Sequence, residues 1–123
     1  MDPMNRPLVT IVDDDELFRR SVERLVGSAG FSVEGFGSAE DFLERGKPDA
    51  TACAILDIRL PGLNGFDLQR RLATRPRPIP IVFVSAHEDA VTRANAVRAG
   101  AIAFLKKPFD NSTLLEALHR ALR

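Results

Sequence analysis

The chain has 123 residues, with seventeen basic and seventeen acidic side chains that cancel. A balanced charge removes any general electrostatic reason to bind nucleic acid or an anionic membrane, and 123 residues are enough to bury one domain's core. The single cysteine, Cys53, excludes an internal disulfide and sits in the apolar run "TACAIL", where a small buried thiol is expected.

The opening "MDPMNRPL" lacks the apolar stretch of a signal peptide, and no apolar run reaches membrane-spanning length, so a cytoplasmic location is expected. "LVTIV" then reads as a first strand. "ELFRRSVERLVGSAG" follows with Leu17, Val22, Leu25 and Val26 at helical spacing and Gly27 and Gly30 near its stop. "FSVEGF" alternates as a strand, and "SAEDFLERG" places Ser38 three residues before Asp41, close to a capping box. "ACAIL" is continuously apolar, as a strand covered on both faces should be. "GFDLQRRLAT" is a helix with Phe66, Leu68 and Leu72 inward, and the proline-rich "RPRPIP" leads into the strand "IVFVS". "EDAVTRANAVRAG" is a helix ended by Gly100, "AIAFL" the last strand and "NSTLLEALHRAL" the last helix.

Five strands alternating with five helices imply right-handed βαβ units and a parallel α/β sheet with helices on both faces. Ligands of such sheets bind beyond the carboxyl ends of the strands. Strand one delivers Asp13 and Asp14 there, strand three Asp57, strand four Ser85, and strand five Lys106 and Lys107. Clustered carboxylates repel unless something positive sits among them, and a hard divalent cation, Mg²⁺ or Mn²⁺, prefers oxygen ligands. Carboxylate, metal, lysine and hydroxyl together suit a phosphoryl group: the cations neutralise its oxygens, the hydroxyl donates to one, and an aspartate oxygen attacks phosphorus. Blander roles exist for each residue alone. Asp14, Asp15 or Glu16 suits the positive end of the next helix, Asp57 an ordinary turn, and Lys107 a solvated surface.

The segments "IVDDDE", "AILDIRLPGLNGFDL", "VFVSA" and "AIAFLKKPF" resemble, in order and spacing, the receiver domain of bacterial two-component response regulators. "SAGFSVEGFGSAEDFL" is most similar to receivers of the FixJ type. The resemblance implies a (βα)5 doubly wound, five-stranded parallel sheet of strand order 2-1-3-4-5. It implies that Asp57 accepts a phosphoryl group from a sensor histidine kinase or a phosphotransfer domain. Asp13 and Asp14, with Asp57 and the backbone carbonyl of Arg59, would hold Mg²⁺, or Mn²⁺ in its place. Ser85 and Lys107 would meet the phosphoryl oxygens, the Lys107–Pro108 bond would be cis, and Phe104 would be the aromatic switch, with a static core residue as the alternative. Arg59 and His87 border the approach of hydrolytic water and would tune the lifetime of the phosphoryl group, unless both point into solvent.

Arg19, Arg20 and Arg24 beside Phe18 and Val22 resemble the kinase-docking face of such receivers, or else form a solvated arginine face. The fourth helix, fifth strand and fifth helix resemble the face on which many receivers form a phosphorylation-dependent homodimer, here with Val91, Arg93, Arg98, Lys106 and Glu116. Residues 1–123 read as one receiver domain, either a lone receiver or, as the FixJ-type resemblance implies, one excised from or N-terminal in a longer regulator. The implied chemistry is self-phosphorylation with slow autodephosphorylation rather than turnover, with no nucleic acid bound by this domain and no membrane.

Rival readings fit less well. A dehalogenase-like phosphatase needs an acid/base aspartate two residues after its nucleophile, where Arg59 stands. A receiver-like interaction module that works without phosphorylation would characteristically lack Asp57, an acidic partner or Lys107, and all are present. "GFGSAE" lacks the third glycine of a dinucleotide fold, and two distant histidines with one cysteine make no zinc site.

Overall fold

Along each central strand, alternate residues feed two separate cores. Val9, Ile11, Cys53, Ile55, Val82 and Val84 face one side, packing with Val22, Val26, Leu114 and Leu118. Val12, Ala54, Leu56, Ile81 and Phe83 face the other, against Phe42, Leu68, Leu72 and Ala96. The twofold period of a strand therefore explains the unbroken apolar runs: both faces are covered.

The computed structural model describes residues 6–87 and 89–123. The first five residues of the amino-terminal reading, and Glu88, where the sequence pattern opens the fourth helix, lie outside the described residues. The elements run β1 (Leu8–Val12), α1 (Glu16–Ser28), β2 (Ser32–Phe36), α2 (Ala39–Arg45), β3 (Thr51–Asp57), α3 (Gly65–Ala73), β4 (Ile81–Ser85), α4 (Ala90–Arg98), β5 (Ala103–Lys106) and α5 (Asn111–Ala121), with a 3-10 turn at Pro48–Ala50 before β3. All neighbouring strands are parallel, in the order β2-β1-β3-β4-β5. Helices α1 and α5 cover one face and α2, α3 and α4 the other. No helix among the described residues is long and apolar enough to cross a membrane.

Register brings the strand ends level. Val12 pairs with Leu56, Asp57 with Val84 and Ser85 with Lys106. Backbone bonds continue the ladder past the strands, from Asp13 N–H to the Phe36 carbonyl, Ile58 N–H to Val84 and Lys107 N–H to Ser85. Asp13, Asp57, Ser85 and Lys107 thus emerge on one rim.

Side-chain caps set where α1, α2 and α3 begin. Asp15 is the N-cap of α1 and accepts from Phe18 N–H, so it takes the helix-terminus role that the sequence leaves open. Ser38 caps α2 through Asp41 N–H, and Asn64 and Asp67 form a full capping box on α3. At the end of α4, Gly100 takes φ 78°, and Ala101 N–H reaches back to the Ala96 carbonyl in a Schellman closure.

The inward assignment of Leu17 is corrected. Leu17 is 82% exposed, and the buried stripe of α1 is Phe18, Val22, Leu25 and Val26. These residues are spaced i, i+4, i+7, i+8, whereas Leu17 and Val22 are five apart and about 140° out of phase. The arginine face is corrected as well. Val22 is buried. Arg19 turns inward, its side chain only 18% exposed, donating to the Asp13 carbonyl at 2.8 Å and pairing with Glu23 at 3.8 Å. Arg20 and Arg24 stay exposed.

Candidate functional site

Three residues at the rim are fixed by the same local device. Asp13 accepts from Asp15 N–H at 2.9 Å, Asp57 from Arg59 N–H at 3.1 Å, and the Ser85 hydroxyl from His87 N–H at 3.1 Å. Each is the side chain of a strand-end residue turned back onto the backbone two residues on. Asp13 and Ser85 are fully buried, Asp57 is 6% exposed and Asp14 is exposed.

Carboxylate oxygens of Asp13, Asp14 and Asp57 lie within 4.8 Å of one another. Lys107 stands beside them, its Nζ donating to Asp13 Oδ2 at 2.6 Å and lying 3.6 Å from Asp57 Oδ2. The Lys107–Pro108 peptide bond is cis. One ammonium against three carboxylates leaves an excess of negative charge. Burial, followed by the Asp13 charge, pushes the Asp57 carboxyl up to about 6, while Lys107 and the Arg59 N–H act in the opposite direction. An all-oxygen set with surplus negative charge, open to solvent through Asp14, suits a hard divalent cation that retains waters. Asp13, Asp14 and Asp57 are the residues that could hold one.

The surroundings place the remaining sequence candidates. Arg59 and His87 are exposed at the ends of β3 and β4. Phe104 is half-buried on β5, packs against the α2–α3–α4 core, and carries the Arg93 guanidinium 4.9 Å above its ring. A small cavity of about 120 Å³ adjoins it, lined by Ala96, Ala101 and Arg93.

Several supports escaped the sequence reading. Glu40 accepts from Leu63 N–H at 3.0 Å and so ties α2 to the β3–α3 loop. Gly65 brings α3 against the end of β3 so closely that a Cβ there would lie 2.5 Å from the Asp57 carbonyl oxygen. Phe18 presents its ring face to Lys107 Nζ, 4.1 Å from the centroid. The Asn64-to-Asp67 spacing could have revealed the α3 cap, and Gly65 lies only eight residues after Asp57, whereas the Glu40–Leu63 and Phe18–Lys107 contacts join residues far apart in sequence and leave no local pattern.

Between α1 and the β5–α5 loop runs an open groove of about 430 Å³, lined by Phe18, Val22, Leu25, Lys107, Pro108 and Phe109. It reaches the acidic rim at Lys107.

Comparison with known proteins gives a consistent result. The family model for the response regulator receiver domain matches residues 9–119. Nodulation protein W of Bradyrhizobium diazoefficiens is 43% identical over 113 residues, 92% of this chain and 50% of that protein. Transcriptional regulatory protein FixJ of the same organism is 35% identical over 115 residues, 94% of this chain and 56% of its own. The solved structure of response regulator StyR superposes with a TM-score of 0.86 at 44% identity, covering 95% of this chain and 59% of that one. The chain therefore spans about half the length of the curated relatives it matches.

Proposed function

The chain belongs to the receiver domain family of two-component response regulators, with FixJ-like relatives, and from that premise we propose that Asp57 is its phosphoacceptor. The observation that carries the assignment is the position of Lys107, whose ammonium reaches both Asp13 and Asp57 on a rim shared with the Ser85 hydroxyl.

In the transfer, an Asp57 carboxylate oxygen forms a bond to phosphorus as the bond to the donor's imidazole nitrogen breaks, and the imidazole leaves with the electron pair. Asp57 is well prepared for this. Without metal its carboxyl is raised to about 6, chiefly by burial, which still leaves it mostly anionic at neutral pH, and a bound divalent cation would favour the anion further. Lys107, already held at the rim by Asp13, donates to one phosphoryl oxygen, and that placement spares reorganisation during transfer; the Ser85 hydroxyl donates to another once the group is on Asp57. Asp13, Asp14 and Asp57, with the Arg59 carbonyl, would hold a divalent cation, Mg²⁺ or Mn²⁺, which would neutralise part of the developing charge. Arg59, just beyond the nucleophile, shields the product from water, and His87 lies on the same approach.

The phosphoryl group then shifts a pre-existing equilibrium. Ser85 is recruited to it and Phe104 turns inward, changing the α4–β5–α5 face. That face carries Val91, 69% exposed, with Arg93, Arg98, Lys106 and Glu116, and is the proposed contact in a phosphorylation-dependent homodimer and with an output module. The groove along Phe18 and Leu25 fits the apolar side of a kinase's or phosphotransfer domain's helix, ending beside Asp57. The same reading puts the domain in the cytoplasm.

Intact-mass spectrometry after incubation with acetyl phosphate and Mg²⁺ tests the assignment. One added phosphoryl group is expected, absent from Asp57→Asn and from the metal-free sample. No adduct and no beryllofluoride binding would refute it. With the adduct in hand, Arg59→Ala should change its decay rate; an unchanged rate would remove the shielding role.

A further inference from the structure

We propose that Phe18 is a positioning residue for Lys107: its ring face holds the ammonium at the rim and so sets how fast Asp57 takes up the phosphoryl group. The proposal rests on the assignment of Asp57 and Lys107 made above.

Lys107 Nζ meets three partners. Asp13 Oδ2 is at 2.6 Å, Asp57 Oδ2 at 3.6 Å, and the centroid of the Phe18 ring at 4.1 Å. A cation this close to an aromatic face is attracted by the ring quadrupole, more strongly where water is scarce. The lysine side chain is 17% exposed. The ring is held in turn: Phe109 meets it edge-on, with centroids 5.9 Å apart and planes at 90°, a favoured aromatic geometry.

The three partners differ in what they leave free. A lysine stem is long and has many rotamers, so placing its ammonium needs more than one contact. Asp13 is shared, because it also belongs to the acidic cluster, and its short ion pair draws the ammonium away from Asp57. The ring attracts the charge without accepting a conventional hydrogen bond and displaces water from that side. Donors on Lys107 are thereby kept for phosphoryl oxygens. An aliphatic side chain of similar size would exclude water as well but would not attract the ammonium.

Replacing the ring tests this by two routes. The chain has three lysines, Lys47, Lys106 and Lys107, so the Lys107 ε-methylene protons can be assigned by their loss in Lys107→Ala. They should be shifted upfield by the ring current in the wild type and in Phe18→Tyr, and return to the positions of the other lysines in Phe18→Leu. Phosphorylation by acetyl phosphate, followed by intact mass, should slow about five-fold in Phe18→Leu and stay near wild type in Phe18→Tyr. In a Lys107→Ala background, Phe18→Leu should cause no further slowing.

The proposal fails if the Leu and Tyr variants slow alike, if the Phe18→Leu effect persists without Lys107, or if the methylene resonances are unshifted in the wild type. A wild-type chain that takes up no phosphoryl group overturns the assignment of Asp57 and the kinetic half of the proposal together. The ring-current shift reads the Phe18–Lys107 contact separately from that failure.

Discussion

Asp57→Asn should stabilise the metal-free domain at neutral pH. The Asp57 carboxyl is raised from 3.8 to about 6, chiefly by burial and next by the charge on Asp13. The folded chain therefore binds this proton more tightly than the unfolded chain. Between about pH 4 and pH 6 the folded state carries the extra proton, so the stability contributed by Asp57 falls as pH rises through that window and stays low above it. At full strength the shift corresponds to about 3 kcal/mol; solvent reaching the rim through Asp14 reduces the expected difference to about 1–2 kcal/mol. Asparagine keeps the shape without the charge. Urea unfolding in metal-free buffer, at about pH 3.5 and about pH 7.5, should show near-equal midpoints for wild type and variant at the lower pH, below the unfolded value of 3.8, and a gap of about 1–2 kcal/mol in favour of the variant at the higher. Adding Mg²⁺ should close the gap by stabilising the wild type more. A gap of the same size at both pH values, or a variant less stable at pH 7.5, would refute the account.

Other expectations concern the scaffold. Gly65→Ala places a methyl 2.5 Å from the Asp57 carbonyl oxygen and 2.9 Å from Ile58 Cα, and should cost about 2–3 kcal/mol in urea unfolding. Leu17→Ser should change stability by less than about 0.5 kcal/mol, whereas Val26→Ala on the buried side of the same helix should cost about 2 kcal/mol; equal effects would contradict the assigned face. Cys53 is fully buried and its thiol is pushed up to about 12, so an aromatic disulfide reagent at mildly alkaline pH should label it only in denaturant.

The sheet and its rim were legible because they depend on local pattern. An unbroken run such as Cys53–Leu56 identifies a strand covered on both faces, and the residue after each run falls at a carboxyl end once the strands are parallel. Leu17 shows where the pattern misleads: beside Phe18, either residue looks apolar enough to face inward, and phase with Val22 and Val26 decides between them. Arg19 shows a different limit. Its exposed appearance in sequence comes from its charge; Glu23, four residues on, is a partner that helical spacing does offer, but the Asp13 carbonyl that receives its guanidinium at a shielded position leaves no mark in the local pattern. The same holds for Glu40 at Leu63 and Phe18 at Lys107, contacts that exist only after distant elements meet.

The two banks of the site differ in mechanical compliance. After β3, the chain is clamped: Gly65 N–H bonds to the Ile58 carbonyl, Leu63 N–H to Glu40, and α3 is seated by Leu68 and Leu72 beneath a full capping box. After β4, α4 is seated by Ala96, its buried residue, and the Gln69 side chain ties its far end through the Ala99 carbonyl. Unseating a methyl group forfeits far less apolar burial than unseating two leucines. A tug on Ser85 therefore meets a stiff wall on the α3 side and a hinged one on the other, so displacement is channelled into the near end of α4, pivoting about its anchored carboxyl terminus.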